Sequence, residues 1–258
     1  MEQHKAHIIA LLEKGKRHDG RDAMEYRPMS IELNPVHRAN GSARVKIGNT
    51  EVIVGVKLDV DVPFPDTPEE GILMVNAELM PMANPDFEPG PPRPESIEIS
   101  RVVDRGIRES GCIDFGKLCI KPKEKVWMVF VDIYPINDDG NLLDASAIAA
   151  VAALKNTVFP KYDEKEDMVL YKEHTKKKLE LEFTPVLTTF GKVGGYLFAD
   201  FDLLEQHSMD ARLSLSSLPD GKIAAMQKGG TGTFTEEEVL NLVDLAIEKG
   251  KEVRKLLK

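Results

Sequence analysis

Apolar residues first recur at helical spacing near the start of the chain. Ile8, Ile9, Leu11 and Leu12 form one stripe, and Gly15 is placed to end it. The strongest hairpin signal runs from Ser42 to Asp59. Ala43, Val45 and Ile47 alternate with Ser42, Arg44 and Lys46, Gly48-Asn49 supplies a turn, and Val52, Val54, Val56 and Leu58 resume the period of two. That register turns Arg44 and Lys46 to the face opposite the core. Nine prolines between Val62 and Pro94 predict a surface loop, interrupted by one strand near Gly71–Leu79. From Ser96 the period becomes helical, with Ile99, Val102, Val103 and Ile107 on one side. Lys117–Ile120 and Val126–Tyr134 read as strands, the second apolar throughout and so expected to be buried on both faces. Asp144 or a neighbour is expected to cap an alanine-rich helix through Leu154, apolar nearly all round and therefore buried.

A charged segment, Lys161 to Lys178, breaks this pattern and suggests a boundary between residues 1–160 and residues 161–258. Beyond it, strands are expected at Leu179–Phe190, Gly194–Asp200, Arg212–Leu218 and Lys222–Lys228. The closing helix is well signalled. Thr235 and Glu238 have capping-box spacing, acids crowd the first turn, and Lys251, Arg254, Lys255 and Lys258 lie at the end. Each half runs strands first and helix last, which is an α+β pattern rather than an alternating parallel one.

The chain has 258 residues, with 34 Lys+Arg against 43 Asp+Glu, a formal net charge of −9. That balance excludes a surface that coats nucleic acid all over, so any such contact must be a local basic stripe. Two cysteines, Cys112 and Cys119, are too few for a disulfide framework or a four-ligand zinc site and suit a reducing, cytoplasmic setting. No run of about 18 apolar residues predicts a membrane span.

Arg101, Arg105 and Arg108 stand at i, i+4 and i+7, in one stripe opposite Ile99, Val102, Val103 and Ile107. Stacked arginines repel one another. A phosphate would relieve that repulsion and accept bidentate hydrogen bonds; Glu98 and Asp104 are the alternative neutralising partners. Gly229-Gly230-Thr231-Gly232-Thr233 lacks the Gly-Lys-Ser/Thr ending of a phosphate loop, and a strand-to-helix turn explains its glycines. His18 and His207 lack the i, i+4 partner of a helical metal site and read as structural or surface residues. Asp132, Asp138, Asp139 and Asp144 make the region after the apolar strand acidic, a poor place for phosphate that suits either a cation or, as four aspartates around a turn more commonly form, a solvated loop.

Several segments together resemble the RNase PH family, which uses phosphate to shorten RNA from its 3′ end. Arg17-His18-Asp19-Gly20-Arg21 is similar to the R-x-D-G-R motif of that family. Gly41-Ser42-Ala43-Arg44-Val45 with Gly48-Asn49-Thr50 is similar to its first hairpin. Glu98–Glu109, Val131–Leu154 and Asp200–Leu218 are similar to its arginine helix, its phosphate-loop region and its strand pair carrying the catalytic acid. The resemblance implies an α+β, RNase PH-like (ribosomal protein S5 domain 2-like) fold with two sheet-plus-helix halves, each a mixed sheet packed with helices on one side. It also locates three departures. Gly140-Asn141-Leu142 stands where a Gly-Thr-Arg turn would bind phosphate, Glu95 and Ser96 stand where an arginine pair would lie, and Arg212 stands at the position of the carboxylate. Phosphorolysis needs a cationic cradle and an acid, so these exchanges argue for lost catalysis.

Within the family the likeness is to the non-catalytic subunits of the archaeal exosome. It implies a catalytic RNase PH-like paralogue as partner in a three-plus-three hexameric ring, RNA-binding cap subunits, and single-stranded RNA, with no membrane role and no cofactor of its own. In that context Arg101, Arg105 and Arg108, with Arg44 and Lys46 as weaker candidates, are the expected RNA contacts. A self-sufficient phosphorolytic exoribonuclease is the alternative.

Overall fold

The computed structural model describes residues Glu2 to Leu257; Lys258, expected at the end of the last helix, lies outside them. The first half contains α1 (Glu2–Leu12), β1 (Met29–Leu33), β2 (Gly41–Ile47), β3 (Thr50–Asp61), β4 (Ile72–Ala77), α2 (Pro94–Arg108), β5 (Cys119–Lys121), β6 (Lys125–Asn137) and α3 (Leu142–Lys155). A hairpin of β7 (Val158–Asp163) and β8 (Met168–Lys178) follows, then β9 (Val186–Val193), β10 (Tyr196–Ala199), α4 (Leu203–Ser208), β11 (Ala211–Ser217), β12 (Ile223–Gly230) and α5 (Glu236–Leu256).

The β2–β3 hairpin forms in the expected register. Val45 opposes Val52, and Gly48 takes the positive φ of 57° that the tight turn requires. These strands belong to a sheet ordered β1-β2-β3-β6-β4, with β5 paired to β6; only β4 is parallel to its neighbour. The second sheet, β10-β9-β11-β12, is antiparallel throughout. The expectation of a mixed sheet in each half therefore holds only for the first.

Helix α3 explains its own composition. It packs on β2 and β3 and also on β9, so no side of it reaches water, and every residue from Leu142 to Leu154 is buried. Small alanines let both sheets approach; truncating a larger member such as Ile148 to alanine would cost about 2–5 kcal/mol. Helix α2 lies beside α3 and bridges β4 to β12. Residues alternate along β11, so Ser214 faces this helical layer while Leu213 and Leu215 pack on Leu242 and Ala246 of α5. Helices thus cover both faces of the second sheet, whereas each half was expected to carry them on one side.

Three local expectations change. Asp144 is not a cap: Asn141 is the N-cap, with φ of 59°, and Asp144 sits buried one turn later. Phe115–Leu118 is a 3-10 turn capped by Asp114, leaving only Cys119–Lys121 as strand. The charged segment from Lys161 lies in the β7–β8 hairpin, and residues 160 and 161 both fall within β7. Its apolar side packs on the first half, where Trp127 meets Phe159 and Tyr162 edge-on at 5.2 and 6.2 Å. Alternating charges on its other face hid that period of two. Strand β9 accordingly starts at Val186, not Leu179. The glycines at 229 and 230 end β12 ahead of α5, as a strand-to-helix turn.

Candidate functional site

Strand β6 ends in a turn, residues 138–141, that feeds α3. Gly140 has φ of 84°, and a Cβ there would lie 2.5 Å from the carbonyl carbon of Asp202, so only glycine fits. The turn was expected to be a solvated acidic loop. Instead Asp138 and Asp144 are buried, and Arg27 clamps the segment. The Arg27 guanidinium donates to the carbonyls of Asp139 at 2.6 Å, Gly140 at 3.2 Å and Phe201 at 3.2 Å. It also grips both carboxylate oxygens of Asp200, at 2.9 and 2.8 Å. Burial alone would lower the Arg27 pKa and raise that of Asp200; their mutual hydrogen bonds and charge outweigh it and move both the other way.

Beneath the turn, Asp144 joins the halves. It accepts hydrogen bonds from Thr189 Oγ1 at 2.7 Å, Thr189 N at 3.0 Å, Tyr26 OH at 2.7 Å and Asn141 Nδ2 at 3.0 Å. Burial pushes its pKa up to about 6, and these donors only partly counter the rise. No local signal marks the Arg27–Asp200 pair, because Arg27 lies more than 110 residues from both Asp139 and Asp200.

The first turn of α3 carries Leu142, buried and apolar. It lines a void of about 240 Å³ together with Asn141, Glu98, Phe87 and Arg212. Arg212 projects from β11 into this place and is ion-paired to Glu98 of α2. Glu95 is exposed and Ser96 is turned back onto the carbonyl of Arg93 at 3.0 Å. Among the described residues the cleft therefore has one cation, Arg212, already neutralised by Glu98.

Of the arginine stripe, Arg101 is exposed and makes no ion pair among the described residues. Arg105 is half-buried and donates to Gln227 of β12. Arg108 pairs with Asp104 at 2.8 Å, donates to the carbonyl of Leu73 at 3.1 Å and lies over the Phe115 ring at 5.6 Å. Asp104 is thus one of the two neutralising partners named from the sequence; the other, Glu98, has gone to Arg212 instead. Arg44 and Lys46 do project from the far face of β2, away from the helical layer. There Arg44 meets Glu32 and Glu51 at 3.0 and 3.3 Å, and Lys46 meets Glu51 at 3.0 Å. The five cations form two separate groups on opposite sides of the first sheet.

The R-x-D-G-R segment is a lock between the chain's start and its second half. Arg17 is buried against both carboxylate oxygens of Glu205 and donates to the carbonyls of Ala199 and Asp200, each at 2.8 Å. Arg21 reaches the Asp200 carboxylate at 3.1 Å. His18 pairs with Asp202, the N-cap of α4. His18, Asp202 and Glu205 lie close together, but Glu205 is committed to Arg17, so the group reads as structural. Helix α4 itself carried a legible capping box, Asp202 with Glu205.

Residues 25–160 match the 3′ exoribonuclease family, domain 1, and residues 184–249 match domain 2 of that family. The chain belongs to this family. Among its relatives, the exosome complex component Rrp42 of Methanopyrus kandleri is 47% identical over 97% of this chain and 94% of its own length. That of Methanosarcina acetivorans is 47% identical over 98% of this chain and 92% of its own. One chain of the Archaeoglobus fulgidus exosome with RNA bound to the active site superposes with a TM-score of 0.92 at 43% identity, covering 100% of this chain and 98% of that one. Rice Rrp46, at 19% identity and a TM-score of 0.70 over 93% of this chain and 98% of its own, shares the fold. The RNase PH-like α+β architecture is thereby established for this member of the 3′ exoribonuclease family.

Proposed function

We propose that this chain is a non-catalytic subunit of an archaeal-type RNA exosome ring, shaping a catalytic paralogue's site and contacting RNA during 3′-to-5′ phosphorolysis. The observation that carries the reading is Arg212. It occupies the position where the family resemblance expects an acid, is held there by Glu98, and faces Leu142 where a phosphate-binding arginine is expected. A neutralised cation beside an apolar turn neither cradles phosphate nor moves a proton. Similarity to Rrp42 relatives over nearly the whole length supports exosome membership. On this reading the partner is an RNase PH-like paralogue in a three-plus-three ring with RNA-binding caps, and the protein works in the cytoplasm. The α2 stripe, led by Arg101, which makes no ion pair among the described residues, meets single-stranded RNA through its phosphates without reading sequence; Arg44 and Lys46 add charge from the other face.

Two measurements test this. Phosphate-dependent shortening of RNA by the isolated chain should be absent; robust activity would overturn the reading in favour of a self-sufficient phosphorylase. Co-purification with a catalytic paralogue should shift the chain into a particle of ring size, and a chain that stays alone removes the ring role.

A further inference from the structure

We propose that the cleft between α2, the start of α3 and β11 binds a nucleoside through its base, without engaging a phosphate. Two buried polar atoms of residues lining this cleft have no partner among the described residues: Oδ1 of Asn141 and Nη1 of Arg212. Asn141 is 1% exposed, and its amide nitrogen is committed to Asp144 and Asp200, each at 3.0 Å. The amide therefore cannot flip to satisfy its oxygen, since that would turn Oδ1 toward two carboxylates. A buried acceptor and a buried donor both left unmet are costly. An occupant that donates to Asn141 and accepts from Arg212 removes both costs together.

The rest of the lining narrows its chemistry. Glu98 and Asp138 bring two carboxylates, while Arg212, the one cation, is neutralised by Glu98. An anion would be repelled, so phosphate is excluded and an uncharged ligand favoured. Phe87, Ile99, Leu142 and Phe201 supply an apolar wall for the face of a flat ring. A nucleobase combines that face with an edge bearing both donors and acceptors. The void of about 240 Å³ shares Phe87, Asp138 and Gln206 with a groove of about 590 Å³, which gives the ribose a way out. The nucleoside unit can be free or the last residue of an RNA. This goes beyond the ring role, and the chain can fail the test below while remaining a ring subunit.

The test is ligand-observed NMR on the full chain with adenosine, cytidine, inorganic phosphate and a short RNA bearing a free 3′-hydroxyl. At least one nucleoside should bind saturably, shift the Asn141 side-chain amide resonance, and resist displacement by phosphate. Arg212→Met should weaken binding by about tenfold or more, the loss expected when a polar ligand edge loses its charged partner. Competition by the short RNA would identify an RNA end as the source, and its failure to compete a free nucleoside. No saturable binding, displacement by phosphate, a shift confined to other residues, or unchanged affinity in a folded Arg212→Met chain would overturn the proposal. Because the amide shift is read in the native chain, a misfolded variant leaves the test intact.

Discussion

Glu98 of α2 and Arg212 of β11 are ion-paired across the junction of the two halves, with 33% and 19% of their side chains exposed. The pair spends the cleft's arginine on a protein carboxylate, and it ties the arginine helix to the second sheet.

Partial exposure bounds what the pair contributes to stability. Glu98→Ala and Arg212→Ala should each cost about 1 kcal/mol, with a coupling of about 0.5–1 kcal/mol in the double-mutant cycle. Urea denaturation of the four proteins checks this, and a coupling of zero would mean that the two charges are held only by packing.

RNA affinity should follow the geometry of the cations. In the reconstituted complex, Arg101→Ala should weaken RNA binding and reduce the slope of log affinity against log salt by about 0.7–1. Arg44→Ala and Lys46→Ala should have smaller effects, because both charges are already shared with Glu51 and Glu32. Equal losses at all three positions would contradict this ordering.

Two buried carboxylates should give opposite pH signatures. The Asp200 pKa is depressed in the fold, so its contribution is present above its ordinary value of 3.8 and is lost as pH falls. The advantage of the native chain over Asp200→Asn should shrink on acidification. The Asp144 pKa is raised from 3.8 to about 6, so its contribution is complete below the lower value and lost as pH rises through the upper one. The native chain should therefore lose ground to Asp144→Asn between these values. Urea midpoints across the acid range distinguish the two slopes, and parallel profiles would refute the assignment.

Leu142→Arg should not create an exonuclease. It adds a cation at the turn but leaves Arg212 where an acid is needed, so phosphate-dependent release of nucleotides by the isolated chain should stay at background. Activity from this single change would show that the leucine alone accounts for the missing chemistry.

Sequence alone determined the elements whose signals are local. The β2–β3 hairpin was legible because its alternation and its Gly-Asn turn lie within 18 neighbouring residues, from Ser42 to Asp59. Helix α5 was legible from its capping box, and the arginine stripe of α2 from its spacing alone. The residues departing from the family pattern, Leu142 and Arg212, could be named from order along the chain. Only the tertiary structure decided what those residues face. The clamp of Arg27 on Asp200, the burial of Asp144 against Thr189 and the capture of Arg212 by Glu98 join positions 173, 45 and 114 residues apart. A charged side chain reads the same in sequence whether water or a buried partner will neutralise it. Its role is set by which sheet and which helix the fold brings against it, and pairing over such separations leaves no periodicity in the chain.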